Sequence, residues 1–431
     1  MAELLQYFSS FPAPTAQNLF LLVLSMLAVE SAPSIRRLYM HFISKVSRKS
    51  LNSFYYALSH SKADCSGFMR ITIRILLGIT GSLTHESVFL CIDDTMVAKF
   101  GKKFEHASKL FDHAAHGGSC YLDGHCFVSL MLRVPVCVMG KIRYLAVPLG
   151  YRMWTGESSK LELAADMVRQ AMPELKERHV FLLFDSWYAK KNLVCLKDEF
   201  QNVDIICNVR HDTALFDIPT RQPGKKGRPA KYGKQLDIQK DFMLSEEKYM
   251  GYHACCKKVI TRLFGDAQVF AFVTAVSNDG ARRLFISTCI SGFHMNFPSQ
   301  EDSMLQKVCA KTYEYAPLAL YHLRWSIEVS YYEQKFFWSL GDYMVRSQKG
   351  IENFLSLITV AYGAMKILPY ADKNFCSFQN SSVQEFRHEL GSQINQQVFF
   401  ATLAKNVEST IKSQAVYRWL KKALSAVGCY L

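Results

Sequence analysis

The 431-residue chain is 49% hydrophobic and carries 51 Lys plus Arg against 37 Asp plus Glu, a formal charge of +14. That much apolar material supports a sizeable core in two or three domains, and the excess of cations calls for an anionic partner, nucleic acid ahead of an acidic membrane surface. The longest apolar run, 19–29, is broken by Ser25 and too short to cross a bilayer. Met1-Ala2-Glu3 lacks the basic start of a secretory signal, and the 13 cysteines are scattered without a C-x-x-C pair. A reducing cytosol is therefore expected rather than a disulfide framework.

Residues 1–80 read as helical. Apolar helices are predicted over 15–30 and 34–46, with Pro33 as the break, and a third ends near His60. Arg36, Arg37, Lys45, Arg48, Lys49 and Lys62 make this bundle basic. Three short helices of this kind suit a helix-turn-helix DNA reader, although a plain helical domain with solvated lysines fits the same pattern. From residue 86 the period becomes that of strands. SVFLCIDD is a buried strand ending in two acids; HCFVSLMLRVPV (125–136) and RYLAVPLGYRMW (143–154) follow, joined by a hairpin turn at Gly140-Lys141. A serine-capped helix is predicted over 158–172, apolar at Leu161, Leu163, Ala164 and Val168. HVFLLFD (179–185) is a short apolar strand, 188–200 a helix, and VDIICNVR (203–210) a fifth strand.

The order β-β-β-α-β-α-β is that of the ribonuclease-H-like fold, in which the first and fourth strands, here the two ending in acids, lie side by side. Residues 211–312 interrupt that plan with alternating runs and a basic loop, and read as a β-rich insertion. Helix resumes over 313–368, and 369–431 is helical and polar, with a basic amphipathic segment near Arg418 and Lys422. The expected architecture is α/β: a ribonuclease-H-like catalytic domain (86–210 and 313–368) carrying the insertion, an all-α N-terminal DNA-binding domain (1–80), and a helical C-terminal region suited to dimerisation.

The stretch YHLRWSIEVSYYEQK (321–335) reads as one helix. At about 100° per residue, Tyr321, Arg324, Glu328 and Lys335 share an arc roughly 60° wide. Leu320, Leu323, Ile327, Phe337 and Trp338 lie roughly opposite, with Trp325, Val329 and Phe336 as a second apolar flank, so the helix is expected to be largely enclosed apart from one polar face. An Arg–Glu pair four residues apart is common and worth only about 0.3–0.5 kcal/mol on an exposed helix, so spacing alone leaves a structural ion pair open. The acid-ended strands change the weighing. Asp93-Asp94 and Asp185 could each cap a turn, yet two acids on neighbouring strands and a helical glutamate can also converge. Converging carboxylates repel one another in a protein interior. Divalent cations relieve that repulsion, and two Mg²⁺ (or Mn²⁺) ions about 3.5–4 Å apart clamp the attacking and departing oxygens of a phosphodiester.

The spacing Y-x2-R-x3-E-x6-K at Tyr321, Arg324, Glu328 and Lys335 resembles the signature of DDE transposases of insertion-sequence family four. IDDT (92–95) and LLFDSWYAKK (182–191) are similar to that family's first and second aspartate motifs, and the likeness in order covers about 86–368. The resemblance implies metal-dependent cleavage and strand transfer at the inverted-repeat ends of an insertion sequence, with two Mg²⁺ or Mn²⁺ ions per active site. It implies Asp185 and Glu328 as catalytic metal ligands together with Asp94, the acid directly before the threonine. Asp93 is the alternative; strand alternation does not decide between them, because a central strand can be buried on both faces. Tyr321, Arg324 and Lys335 are implied as contacts to the DNA backbone. Double-stranded DNA, both terminal repeats and target, is the implied partner, bound by a homodimer in the cytoplasm, at the nucleoid of a prokaryotic host.

Two further features come from the residues themselves. Arg221, Lys225, Lys226, Arg228, Lys231 and Lys234 form an acid-free basic loop, and Gly227-Arg228-Pro229 resembles the core of a minor-groove hook; a flexible solvated loop is the plain alternative. His113, His116, Cys120, His125 and Cys126 are a candidate zinc set of unfamiliar spacing, and Lys99, Lys102 and Lys103 nearby are candidate DNA contacts. Two rival functions stay open: a standalone metal-dependent nuclease of the same fold, and a non-catalytic DNA-binding protein descended from a transposase.

Overall fold

The computed structural model describes residues 2–412 apart from 32–33, 63, 113–119, 220–229, 278–279 and 291–314, together with a few residues beyond 412. The strand-forming runs build one mixed sheet: β1 (Val88–Ala98), β2 (Ser108–Phe111), β3 (Tyr121–Val138), β4 (Lys141–Met153), β5 (Val180–Phe184), β6 (Val203–Val209), β7 (Leu215–Phe216), β8 (Gln235–Leu236), β9 (Lys248–Tyr249), β10 (Tyr252–Thr261), β11 (Gln268–Ala275) and β12 (Arg283–Ser287). Its middle runs β4-β3-β1-β5-β6. β3 is antiparallel to β4 and β1, while β5 is parallel to β1 and β6. This order is consistent with a ribonuclease-H-like sheet and seats β1 beside β5; β1 runs on to Ala98, paired with β3, so Asp93 and Asp94 lie within the strand and not at its end as the sequence suggests, while Asp185 directly follows β5. Every residue of β5 is buried, as a parallel strand covered on both faces requires. The β3–β4 turn falls at Met139 and Gly140, with φ of 51° and 75°, one residue earlier than the sequence suggests; both are left-handed, the geometry that suits a tight hairpin.

The β-rich region after β6 continues the same sheet. β12 pairs antiparallel with β6, from Leu284 opposite Val209 to Ser287 opposite Ile206, and β11, β10, β7 and β8 extend it outward. The predicted 188–200 helix is two short turns, Lys191–Val194 and Leu196–Glu199. The helix before β5 spans Lys160–Ala171 and starts with a capping box: Ser159 accepts from the Glu162 amide (3.1 Å) and the Glu162 carboxylate accepts from the Ser159 amide (2.8 Å).

Helices cover the sheet. Ala13–Ala28, Leu51–Ser59 and Phe68–Ile79 bury apolar faces in the same core as the strands, and so does a helix over 35–46 with a π-turn at Tyr39–Ile43. The first three pack around the Gln348–Ala371 helix, and the 35–46 helix packs on Ala13–Ala28 and Leu51–Ser59. The Gln348–Ala371 helix is long and apolar enough by composition to cross a bilayer, although polar residues interrupt its apolar run; most of it is buried inside the protein. The Val383–Lys412 helix closes the bundle through buried Arg387, whose guanidinium donates to Met26 O (2.9 Å) and Val29 O (2.7 Å). It thereby satisfies carbonyls at the end of the Ala13–Ala28 helix that have no helical partner.

Candidate active site

The 321–335 stretch is not one straight helix. Ala316–His322 ends in a tight 3₁₀ turn, Leu323–Trp325, and Ser326–Phe337 resumes beyond it. Arg133 on β3 donates to Leu323 O (2.9 Å) and holds the tight turn against the sheet. Further along, Tyr331 shares a 2.5 Å hydrogen bond with Ser129 of β3, and Gln334 donates to the Tyr151 hydroxyl of β4 (2.8 Å). Leu320, Leu323, Ile327 and Trp338 are buried as the helical wheel predicts. Trp325, Val329 and Phe336 are not: they are 59%, 41% and 71% exposed, with Tyr332 among them. The helix rests on the sheet by one face only, so the expected second apolar flank is a solvent-facing ridge.

The sheet register assigns faces to the paired acids. Asp93 lies opposite Ser129 of β3, the residue that bonds Tyr331, so Asp93 belongs to the face covered by the Ser326–Phe337 helix. β5 lies parallel to β1 with Cys91 opposite Leu183; two residues further along, the same register brings Asp93 level with Asp185. Arg324 completes the grouping. One guanidinium nitrogen donates to Asp93 Oδ2 (2.7 Å) and the other to Glu328 Oε1 (2.5 Å). Burial raises the Asp93 carboxyl to about 7; Arg324 pulls against that rise, and the charge of Asp185 adds to it. Arg324 keeps its proton more firmly than usual: burial opposes its charge, but Tyr321, Asp93 and Glu328 outweigh it. Asp185 is held at the strand end by accepting the amides of Trp187 (3.0 Å) and Tyr188 (3.2 Å).

Asp94 points to the other face. Lys160, at the start of the capped helix, donates to its Oδ2 at 2.8 Å; the Cys126 thiol donates to the same oxygen (3.1 Å), and the Tyr188 hydroxyl to Oδ1 (3.0 Å). The Lys160 ammonium also sits 4.6 Å from the centre of the Trp187 ring. Burial beside Asp94 pushes the Cys126 thiol up to about 12. Sequence reasoning missed Lys160, Cys126 and Tyr188 as partners of the first acid pair. The capping box could place Lys160 in a first helical turn, but nothing local links it to a strand 66 residues earlier.

Beside Asp185 opens a cavity of ≈ 660 Å³, lined among others by Arg210, Arg283, Tyr249, Tyr321, Arg324 and Trp325. Tyr321 packs edge-on against Phe285 of β12 (5.0 Å between rings), and its hydroxyl pKa is raised by burial. Lys335 lies farther along the helix, at the surface, and donates to Met96 O (2.9 Å). Lys225, Lys226 and Arg228 of the basic loop lie outside the described residues, as do His113 and His116 of the candidate zinc set. Both ring nitrogens of His125 are engaged, with the Tyr343 hydroxyl (2.5 Å) and Glu105 O (2.9 Å). Lys99 is not a surface cation open to DNA: it is buried and donates to Gly341 O (2.7 Å) and Tyr343 O (2.8 Å), tying the chain beyond the glutamate helix to the end of β1.

Asp93, Asp185 and Glu328 supply the hard oxygen donors that a Mg²⁺-type cation takes, and the Asp93 carboxyl, raised chiefly by burial and to a lesser degree by the charge of Asp185, is one whose ionised form such an ion would stabilise. As they stand, no three Asp, Glu, His or Cys side chains among the described residues are close enough together to hold an ion. Arg324 is the group that bridges Asp93 and Glu328.

The family described as DDE superfamily endonuclease matches residues 6–248, more than half of the chain. No curated protein matches.

Proposed function

The chain belongs to the DDE superfamily endonucleases, enzymes that hydrolyse DNA phosphodiesters and in general use divalent metals, and from that premise we propose that it is a cut-and-paste DNA transposase of the insertion-sequence family four type. The observation that supports the proposal is the Arg324 fork, which ties Asp93 of β1 to Glu328 of the Ser326–Phe337 helix, with β5 and Asp185 alongside β1 and a cavity rich in cations and aromatic rings next to them. Asp93, Asp185 and Glu328 are the carboxylates we assign to the divalent ions. Asp94 is the position that the family resemblance favours instead of Asp93. When bound, the ions would polarise the scissile phosphate and activate the attacking oxygen.

The chain's own groups bind and orient. Arg324 forks onto a phosphate, Lys335 offers a point charge to the backbone, and Tyr321 buttresses Arg324 from beneath. The cavity walls hold the DNA end and exclude bulk water from it. In the N-terminal region no acid occurs between Glu30 and Asp64, and Arg36, Arg37, Met40, His41 and Lys45 all lie on the exposed side of the 35–46 helix. That helix is our candidate for reading the terminal repeats, with duplex DNA as its partner. Joining two ends requires two active sites, so the working unit is a homodimer on DNA, at the nucleoid of a prokaryotic host.

The test begins with the genomic flanks of the coding region, where short inverted repeats bracketed by direct duplications would identify the substrate. Purified protein with Mg²⁺ or Mn²⁺ should nick those ends and join them to target DNA. Asp185→Asn and Glu328→Gln should lower cleavage by at least about 100-fold while end binding survives. Parallel Asp93→Asn and Asp94→Asn variants identify the first ligand as the one whose loss matches Asp185→Asn. Cleavage without joining would favour a standalone nuclease, and binding without any nicking would overturn the enzymatic reading.

A further inference from the structure

We infer that Arg324 is a built-in counter-ion of the carboxylate cluster, competing with a divalent cation for the oxygens of Asp93 and Glu328 until DNA draws the guanidinium away. The inference rests on the reading of Asp93, Asp185 and Glu328 as ion-binding carboxylates. The fork is divided between two acids from distant parts of the chain, one nitrogen each, at 2.7 Å to Asp93 and 2.5 Å to Glu328. A purely helical ion pair would need only the second of these. The other oxygen of Asp93 already accepts the Asp94 amide at 2.9 Å, so Arg324 takes the oxygen that a cation would use. The Arg324 side chain is only 13% exposed, so the attraction is little screened and the guanidinium and an ion cannot both draw fully on the same oxygens.

The geometry also supplies a release. Arg324 lines the cavity beside Asp185, and its buried Nε has no hydrogen-bond partner among the described residues. A phosphate in the cavity would present oxygens to the same fork, and turning toward it would bring the buried Nε within reach of those oxygens. Each oxygen of Asp93 and Glu328 that Arg324 gives up becomes available to a cation. Cation and DNA therefore strengthen each other's binding by the same factor, as linkage demands. An active site arranged in this way stays low in metal until substrate is present, which guards against stray nicking.

The experiment measures Mn²⁺ binding to the full-length, DNA-free protein by the electron paramagnetic resonance signal of free Mn²⁺, for wild type, Arg324→Gln, Arg324→Lys, Asp185→Asn and Glu328→Gln, each checked for folding by thermal melting. Arg324→Gln should bind Mn²⁺ at least about tenfold more tightly than wild type, about 1.4 kcal/mol. Arg324→Lys, which keeps the charge but loses the fork, should gain less. If Asp185→Asn and Glu328→Gln weaken Mn²⁺ binding but neither Arg324 variant strengthens it, the counter-ion inference is overturned while the active-site reading survives. If Mn²⁺ binding ignores all the carboxylate variants, the active-site reading itself fails. In a second arm, Ca²⁺ should tighten wild-type binding to a fluorescent duplex of the identified terminal repeat but have less effect on Arg324→Gln; equal effects on both overturn the coupling.

Discussion

Asp93→Asn should make the DNA-free protein more stable while costing it cleavage. The carboxyl is shifted from 3.8 to about 7, chiefly because burial disfavours its charge, with Asp185 adding repulsion and Arg324 offsetting part of it. Between those two values the folded chain keeps a proton that the unfolded chain has lost. Stability from this group therefore falls as pH rises through the window, and the full cost is present above pH 7. At about 1.4 kcal/mol per tenfold change in proton affinity the ceiling is roughly 4 kcal/mol. That shift already contains the pull of Arg324; asparagine replaces the carboxyl imperfectly as a hydrogen-bonding partner, so a net gain of about 1–2 kcal/mol is expected at pH 8, a shift of a few degrees in melting temperature. Urea unfolding in EDTA at pH 5 and pH 8 is the assay: the advantage of the variant over wild type should be small at the lower pH and grow toward the higher one. A variant less stable than wild type at pH 8, or an advantage that ignores pH, would refute the reasoning. Asp94→Asn should behave oppositely and lose about 1–3 kcal/mol, because Lys160 is left without its carboxylate.

Three other outcomes follow from the same geometry. Lys335→Ala should weaken DNA binding modestly and lower the slope of log affinity against log salt by about one, measured by titration at several salt concentrations. Trp325→Ala removes a ring 59% exposed at the mouth of the cavity; it should cost about 1–3 kcal/mol in binding a DNA end with an unpaired nucleotide and leave the melting temperature unchanged. Lys99→Met should destabilise the fold by about 2–4 kcal/mol in urea titrations, since it strands the half-buried carbonyl of Gly341 and the buried one of Tyr343.

The sequence was most legible where the signal is local. The short β5 run before Asp185 and the Ser159–Glu162 capping box lie where their periodicity and capping chemistry put them, and the apolar run before Asp93-Asp94 is a strand, though pairing with β3 carries it on to Ala98. The adjacency of β1 and β5 followed from element order. What stayed hidden depends on partners remote in sequence. Alternation along β1 shows only that Asp93 and Asp94 face opposite ways; which face meets Glu328 is set by Ser129 bonding Tyr331 some 200 residues later. The wheel drawn for 321–335 assumed a continuous helix, and the 3₁₀ turn at Leu323–Trp325 is held by Arg133 from another strand. Exposure of Trp325, Val329 and Phe336 was equally unreadable, since an aromatic stripe at helical spacing looks the same whether it is covered or bare.

The pairing of β12 with β6 has a practical consequence. Trimming the chain to a minimal nuclease by excising 215–287 would strip β6 of its antiparallel neighbour and turn an interior strand into a raw margin of unanswered amides and carbonyls. Such a truncation is expected to self-associate through that margin rather than survive as a smaller soluble enzyme. β10, β11 and β12 are thus part of the sheet that carries β6, and any engineering of this region has to leave the β12 seam intact.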